Sequence, residues 1–187
     1  MLSNNATCVA RNATPYILFP TVTTQALNDG QTREDLFSVQ IECSDSAQSG
    51  ISGGQTAIGT QVSLGAYKAA STLGLINSNG GVNMLVSDNY ETAPSLAKRV
   101  GINLSNTATK SKLVFLGQPD YSSSTPWASG TNSGWYLVLD GAQPIGASVA
   151  GYRYYQQQYT AVLSKIPGET VTPGKVYATA YVMVKVQ

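Results

Sequence analysis

The C-terminal run of alternating residues constrains the fold of this chain more than any other segment. From Lys175 the sequence reads Lys-Val-Tyr-Ala-Thr-Ala-Tyr-Val-Met-Val-Lys-Val-Gln, which spans roughly 40 Å if fully extended. Every second side chain is apolar, and these side chains share one face of the strand: Val176, Ala178, Ala180, Val182, Val184 and Val186. The opposite face is mixed, so we expect the apolar face to lie in a hydrophobic core.

A long apolar strand at a chain terminus promotes aggregation unless its hydrogen-bonding edge is paired. Two arrangements satisfy this requirement. The run can be an ordinary final strand inside a complete sheet, or it can stand at a sheet edge and receive a strand from a partner. The physics of sheet edges alone leaves both arrangements open.

The composition of the chain limits both its function and its fold class. Its 187 residues include 11 basic and 10 acidic side chains, a balance too even to recruit nucleic acid electrostatically. The length suits a single domain over residues 1–187. Lysine and glutamate are scarce, while serine, threonine, asparagine, glutamine and glycine are abundant. This composition favours strands and turns over exposed helices, and we expect an all-β protein.

Short alternating runs between turn signals predict about ten strands, which suits a two-sheet sandwich. The predicted strands are residues 8–12, 16–23, 36–43, 61–67, 82–87, 100–104, 112–116, 135–139, 159–163 and 175–186. Residues 93–99 alone suggest a helix, with Pro94 tolerated in a first turn. The irregular stretches 44–60 and 117–134 are long for hairpin connections and predict elaborated loops.

The two cysteines, Cys8 and Cys43, limit metal binding and indicate a compartment. The chain has no histidine, and two thiols cannot supply the roughly four ligands of a structural zinc site. We therefore predict no metal and no cofactor. The cysteines form either a disulfide, which we favour, or two separate buried thiols. A disulfide would close a loop of 34 intervening residues and would indicate an oxidising compartment.

The C-terminal sequence also resembles that of a known family. Residues 171–174, Val-Thr-Pro-Gly, followed by the alternating run, are similar to the ending of chaperone–usher pilins, including a glycine fourteenth from the C-terminus, here Gly174. The pair Cys8 and Cys43 looks like the family's disulfide between its first and second strands. Residues 82–88 are similar to its mid-chain strand.

The resemblance implies an immunoglobulin-like β-sandwich that lacks its final strand, with a groove beside the terminal strand. In that family a periplasmic chaperone fills the groove with one of its own strands. A neighbouring pilus subunit replaces the chaperone after delivery to the outer-membrane usher. The protein would pass through the periplasm and end in an extracellular pilus. The implied groove and chaperone-contact residues are Gly174, Val176, Ala178, Ala180, Val182, Val184, Val186 and Gln187.

The segment before Cys8 indicates a place within the fibre. It has seven residues and no alternating apolar series, so we expect this chain to accept a strand but not to donate one. The chain is then either the pilin domain of a tip adhesin, which we favour, or a shaft or minor subunit without its donor segment.

The sequence contains no recognisable catalytic constellation. Without histidine, the usual general base of a hydrolytic triad is missing, and we expect no enzyme. The alternative function is a free-standing carbohydrate-binding β-sandwich lectin. In that case Tyr121 and Trp127, in a polar loop, would stack on sugar faces. A host glycan or surface receptor is a candidate partner of a tip adhesin as well.

Overall fold

The computed structural model describes residues 7–119 and 130–187, and within them the chain forms two antiparallel sheets. One sheet has the order β1-β2-β8-β4-β5, with β7 also paired to β8, and the other has the order β6-β3-β9. The strands are β1 Cys8–Ala13, β2 Arg33–Ser44, β3 Thr56–Val62, β4 Val100–Asn106, β5 Lys112–Leu113, β6 Tyr136–Leu137, β7 Gln143–Val149, β8 Tyr152–Lys165 and β9 Ala180–Val186. This arrangement confirms the predicted all-β sandwich.

The main core lies between the two sheets and follows from the period-two patterns of the longest strands. In β2, Val39 and Ile41 are fully buried, while the residues between them are only partly covered. Strand β2 pairs with β8 along its whole length, from Arg33 opposite Leu163 to Ser44 opposite Tyr152. The central strands of the larger sheet therefore supply one wall of the core.

Two short α-helices, α1 Thr24–Asn28 and α2 Leu64–Thr72, join the strands. A 3₁₀ turn spans Thr131–Ser133. Helix α2 begins where the Ser63 hydroxyl accepts a hydrogen bond from the Ala66 amide at 3.2 Å, which is an ordinary N-cap. Its buried side chains, Ala66, Ala69 and Ala70, share one helical face that packs on the core.

Three of the sequence predictions about local structure are wrong. Residues 61–67 are not one strand, because β3 ends at Val62 and the Ser63 cap starts α2. Residues 16–23 form no strand and belong to no sheet. Residues 93–99 form no helix because tertiary pairing takes their backbone groups: Ala97 N donates to Lys175 O at 2.9 Å.

Two further predicted strands differ in extent from those in the structure. Residues 82–87 make only isolated bridges, such as Leu85 with Ile102. The C-terminal run 175–186 pairs as a sheet strand only from Ala180 onward. The sequence prediction also missed β7, because Pro144 and Gly146 interrupt its alternation.

Candidate functional site

The free edge of β9 is the most distinctive feature of the smaller sheet. Strand β9 pairs with β3 on one side, from Val62 opposite Ala180 to Thr56 opposite Val186. Within residues 7–119 and 130–187, no strand pairs with its other side. Within the part of the chain that the structure describes, the C-terminal strand therefore lies at a sheet edge.

The backbone groups on this edge can be assigned from the hydrogen bonds of Gln187. Its N–H donates to Gln55 O at 2.8 Å, and its carbonyl accepts from Gly54 N at 2.9 Å, so Gln187 faces the β3 side. Residues two apart in a strand direct their N–H and C=O groups to the same edge. Odd-numbered residues of β9 therefore bond toward β3, and even-numbered residues direct their N–H and C=O groups to the free edge.

Upstream of β9, the backbone hydrogen bonds with residues 87–97 follow the same alternation between odd-numbered and even-numbered residues. Tyr177 N donates to Ser87 Oγ at 3.2 Å, and Tyr177 O accepts from Asp88 N at 2.9 Å. Lys175 N donates to Ser95 O at 3.0 Å. The N–H and C=O groups of the odd-numbered residues are again hydrogen-bonded within the chain. The free edge formed by the even-numbered residues therefore extends from Val176 to Val186. Among the described residues, no hydrogen bond outside the β3–β9 ladder involves these even-numbered backbone groups.

The Asp88 carboxylate fixes the point where this upstream segment meets β9. It accepts from Thr179 N at 3.0 Å and from Thr179 Oγ1 at 2.6 Å. It also accepts from the hydroxyl of Ser63, the cap of α2, at 2.7 Å. Asp88 thus links the C-terminal segment to the start of a core helix. No local sequence pattern indicates this role of Asp88.

Gly174 lies just before this edge. The chain passes so close to Leu96 and Ala97 there that a side chain would not fit. The φ of Gly174 is +157°, and a Cβ atom there would lie 2.5 Å from the Leu96 carbonyl carbon and 2.8 Å from Ala97 Cα. Beside it lies a cavity of about 360 Å³. The cavity is lined mainly by apolar residues of α1, β4, β8 and the segments before α1, β4 and β9: Val22, Leu27, Ala97, Val100, Leu163, Val171, Pro173 and Val176.

Residues 17–22 pack on the same core as the C-terminal segment. Ile17 and Phe19 are half-buried against the main core, on which Ala178, Val182 and Val184 also pack. Val22 lines the cavity beside Gly174. In the described part of the chain, the backbone of residues 15–22 takes part in no sheet ladder. We call the space between the free edge of β9 and residues 15–22 the β9 groove. Cα atoms of β1 and β9 come within 8 Å of each other.

The predicted groove residues from Val176 to Val186 lie along this edge, but they are less buried than core residues. Val176, Ala178, Val182, Val184 and Val186 are half-buried. Ala180 is exposed, contrary to the expectation of a fully buried face, because no described residue covers it at the start of β9. Gln187 extends the pairing with the loop before β3.

The structure joins Cys8 and Cys43 in a disulfide, as predicted. The two residues are paired opposite each other in the β1–β2 ladder, and both are buried. The bridge therefore fastens the edge strand β1, which comes close to β9, to the central strand β2.

Other candidate sites have less support in the described residues. Tyr121 and Trp127, the aromatic residues of the lectin alternative, lie outside the described residues. Residues 7–119 and 130–187 contain no group of three or more acidic, cysteine or histidine side chains placed to hold a metal ion. None of the helices in these residues has the length and apolar character needed to cross a membrane.

Comparison with known proteins identifies the family. The chain is similar to a chain in a solved structure of a chaperone–usher pilus concerned with rod uncoiling, with a TM-score of 0.49 and 14% identity over 100% of this chain and 90% of that chain. It is also similar to the P pilus rod subunit PapA, with a TM-score of 0.47 and 16% identity over 97% and 92%. No curated protein matches it. A family model described as fimbrial protein matches residues 2–187, and the chain therefore belongs to the fimbrial protein family.

Proposed function

We propose that this chain is a structural subunit of a chaperone–usher pilus that accepts a β-strand from another polypeptide in the β9 groove. The observation that carries the proposal is the free edge itself. From Val176 to Val186, every second residue directs its backbone groups to the free edge, and four of these residues pack apolar side chains on the core: Val176, Ala178, Val182 and Val184. The backbone of an added strand would pair with the free edge, and its side chains would cover the core.

The identity of the donors follows from family membership and the resemblance stated above. A periplasmic chaperone would supply the first strand and a neighbouring subunit the second, with the outer-membrane usher between these steps. A fimbrial subunit ends in an extracellular pilus, and we propose periplasmic transit before that. The proposed role is structural and involves no catalysis or cofactor.

The groove must open for a strand to enter along its whole length. Flanking strands separated by an inserted strand stand about 9.6 Å apart, twice the ordinary spacing. Cα atoms of β1 and β9 come within 8 Å of each other. Full insertion therefore requires β1 and β9 to separate.

A melting experiment tests the proposal. The chain is heated with a synthetic peptide of alternating valine and polar residues, and with a control peptide of the same composition in which the alternation is scrambled. A ligand of the folded state at one hundred times its Kd stabilises that state by about 2.7 kcal/mol, so the alternating peptide should raise Tm clearly. Equal melting with both peptides and without peptide would contradict the proposal.

The place of the subunit at the fibre tip is a separate proposal with its own test. The genomic sequence upstream of the Met1 codon decides between the two positions. A lectin-like domain encoded there would support a tip adhesin, and a short alternating segment would support a shaft subunit.

A further inference from the structure

The outer face of the C-terminal segment carries two exposed tyrosines beside the groove. Odd-numbered side chains lie on this face, and Met183 packs on the buried cluster of Ala57, Leu116 and Trp135. This cover does not extend upstream. Tyr181 is 51% exposed and Tyr177 is 69% exposed.

Residues 16–19, which border the groove, show the same pattern. Ile17 and Phe19 pack on the main core, whereas the residues that alternate with them, Tyr16 and Leu18, are each 82% exposed. Both segments that border the groove therefore carry large exposed side chains. We call Tyr177, Tyr181, Tyr16 and Leu18 the outer rim of the β9 groove.

The backbone groups along the free edge of β9 determine what kind of occupant fits beside the outer rim. Even-numbered N–H and C=O groups from Val176 to Val186 point into the β9 groove at the repeat of a strand. An inserted strand can match this row of alternating donors and acceptors along its length. An inserted strand would also place its own outward-facing side chains directly beside Tyr177 and Tyr181, at cross-strand distance.

The tyrosines are held in register for such contacts. Thr179, which lies between them, is fixed by its two hydrogen bonds to the Asp88 carboxylate. The backbone of Tyr177 is fixed by Ser87 and Asp88. Because the backbone here is already ordered, packing of these rings against a partner costs side-chain entropy but little further backbone entropy.

We infer that the outer rim selects the outward-facing side of the donor strand and favours aromatic or β-branched residues there. This inference rests on the proposed strand-acceptor function and assigns that site a second layer of specificity. The inward-facing side chains of the donor fill the core. Its outward-facing side chains contact the outer rim, and the strength of these contacts selects among donors.

Two peptides of identical inward face test the inference. Both carry valine at every second position and lysines at the ends, and they differ only in having tyrosine or serine at the outward positions. Cross-strand aromatic contacts predict that the tyrosine peptide binds about three- to tenfold more tightly to the native chain. The Kd of each is measured by titration calorimetry.

Variants assign the preference to the outer rim. The double substitution Tyr177→Ser and Tyr181→Ser should reduce the preference to near unity, with the tyrosine peptide losing more affinity than the serine peptide. Tyr152→Ser, at a 48% exposed tyrosine on β8, serves as the matched control and should retain the full preference. Circular dichroism verifies that each variant is folded, and measurable binding of the serine peptide verifies that the groove still accepts a strand.

The outcomes separate this inference from the function on which it rests. Equal affinity of the native chain for the two peptides would overturn the inference and leave the strand-acceptor function standing. A preference that survives in the double variant would also overturn it. Failure of both peptides to bind would overturn the proposed function and the inference together.

Discussion

Gly174 lies so close to Ala97 that a Cβ atom on the glycine would stand 2.8 Å from the Ala97 Cα. This approach allows the backbones to pair directly, with Ala97 N donating to Lys175 O at 2.9 Å and Lys175 N donating to Ser95 O at 3.0 Å. The position at the start of the C-terminal run therefore needs glycine for a steric reason. Without a side chain there, the backbone can run directly beside residues 95–97 and continue into the free edge that borders the β9 groove.

Replacing Gly174 with alanine should destabilise the fold. The new methyl group would collide with backbone atoms of Leu96 and Ala97, which cannot move aside as a flexible side chain can. We expect a loss of about 1–3 kcal/mol in the free energy of unfolding, measured by urea denaturation. Gly53→Ala is the matched control, because a Cβ at Gly53 meets nothing within 4 Å. Equal stability of both variants would contradict the steric account.

Replacing Asp88 with asparagine should loosen the C-terminal segment. The substitution keeps the size of the side chain but removes the charge that strengthens its bonds to Ser63 and Thr179. We expect a loss of about 1–2 kcal/mol in the free energy of unfolding. Glu91→Gln is the control, since Glu91 is exposed and accepts one side-chain hydrogen bond, from Thr72. A comparable loss in both variants would show that Asp88 has no special role.

Removing the disulfide should lower stability by an amount set by the loop that it closes. Cys8 and Cys43 are 35 residues apart, and the chain-entropy relation gives about 3–4 kcal/mol for a loop of this size. The double variant Cys8→Ser and Cys43→Ser, compared with the oxidised native chain by denaturant unfolding, measures this difference. Reduction of the native chain should reproduce it, and a loss below about 1 kcal/mol would be inconsistent with the estimate.

Tyr159 should make the protein less stable at alkaline pH. Burial raises the pKa of Tyr159 well above its ordinary value near 10, and the charge of Asp140 adds to this effect. The unfolded chain then loses the tyrosine proton above pH 10 while the folded chain retains it. Stability from this group is complete below pH 10 and declines as the pH rises above that value.

A comparison with Tyr159→Phe isolates the effect. The native chain should lose roughly 1 kcal/mol more than the variant between pH 8 and pH 11. The phenylalanine ring can preserve the stacking with Phe37, whose ring centroid lies 5.0 Å from that of Tyr159. Parallel pH profiles for the two proteins would contradict the prediction.

Local alternation explains which parts of the fold were predictable from sequence. Strand β2 has apolar residues at every second position, and Val39 and Ile41 are buried as that pattern requires. Helix α2 was missed although its signals are present, since Ser63 precedes alanines at helical spacing. Those signals were hidden because Gln61 to Tyr67 also alternates well enough to resemble a strand.

The groove was predictable in part, because the C-terminal alternation and Gly174 identify its edge. The side-chain contacts that hold this edge in place were not predictable. Asp88 and Thr179 are 91 residues apart, and no local pattern relates them. Nor does the sequence of residues 16–23 show that this segment leaves the sheet, since only the tertiary arrangement decides which alternating runs find a strand partner.

Residue-resolved amide hydrogen exchange along the C-terminal strand, with and without the alternating peptide, tests the strand-acceptor account most directly. In the unbound protein, even-numbered amides such as Val182 and Val184 should exchange quickly, whereas the odd-numbered Met183 and Lys185 should be protected by β3. Saturating peptide should slow the even-numbered amides at least about tenfold and change the odd-numbered ones little. Even-numbered amides that are already protected in the free protein, or that remain fast when peptide is bound, would contradict the account.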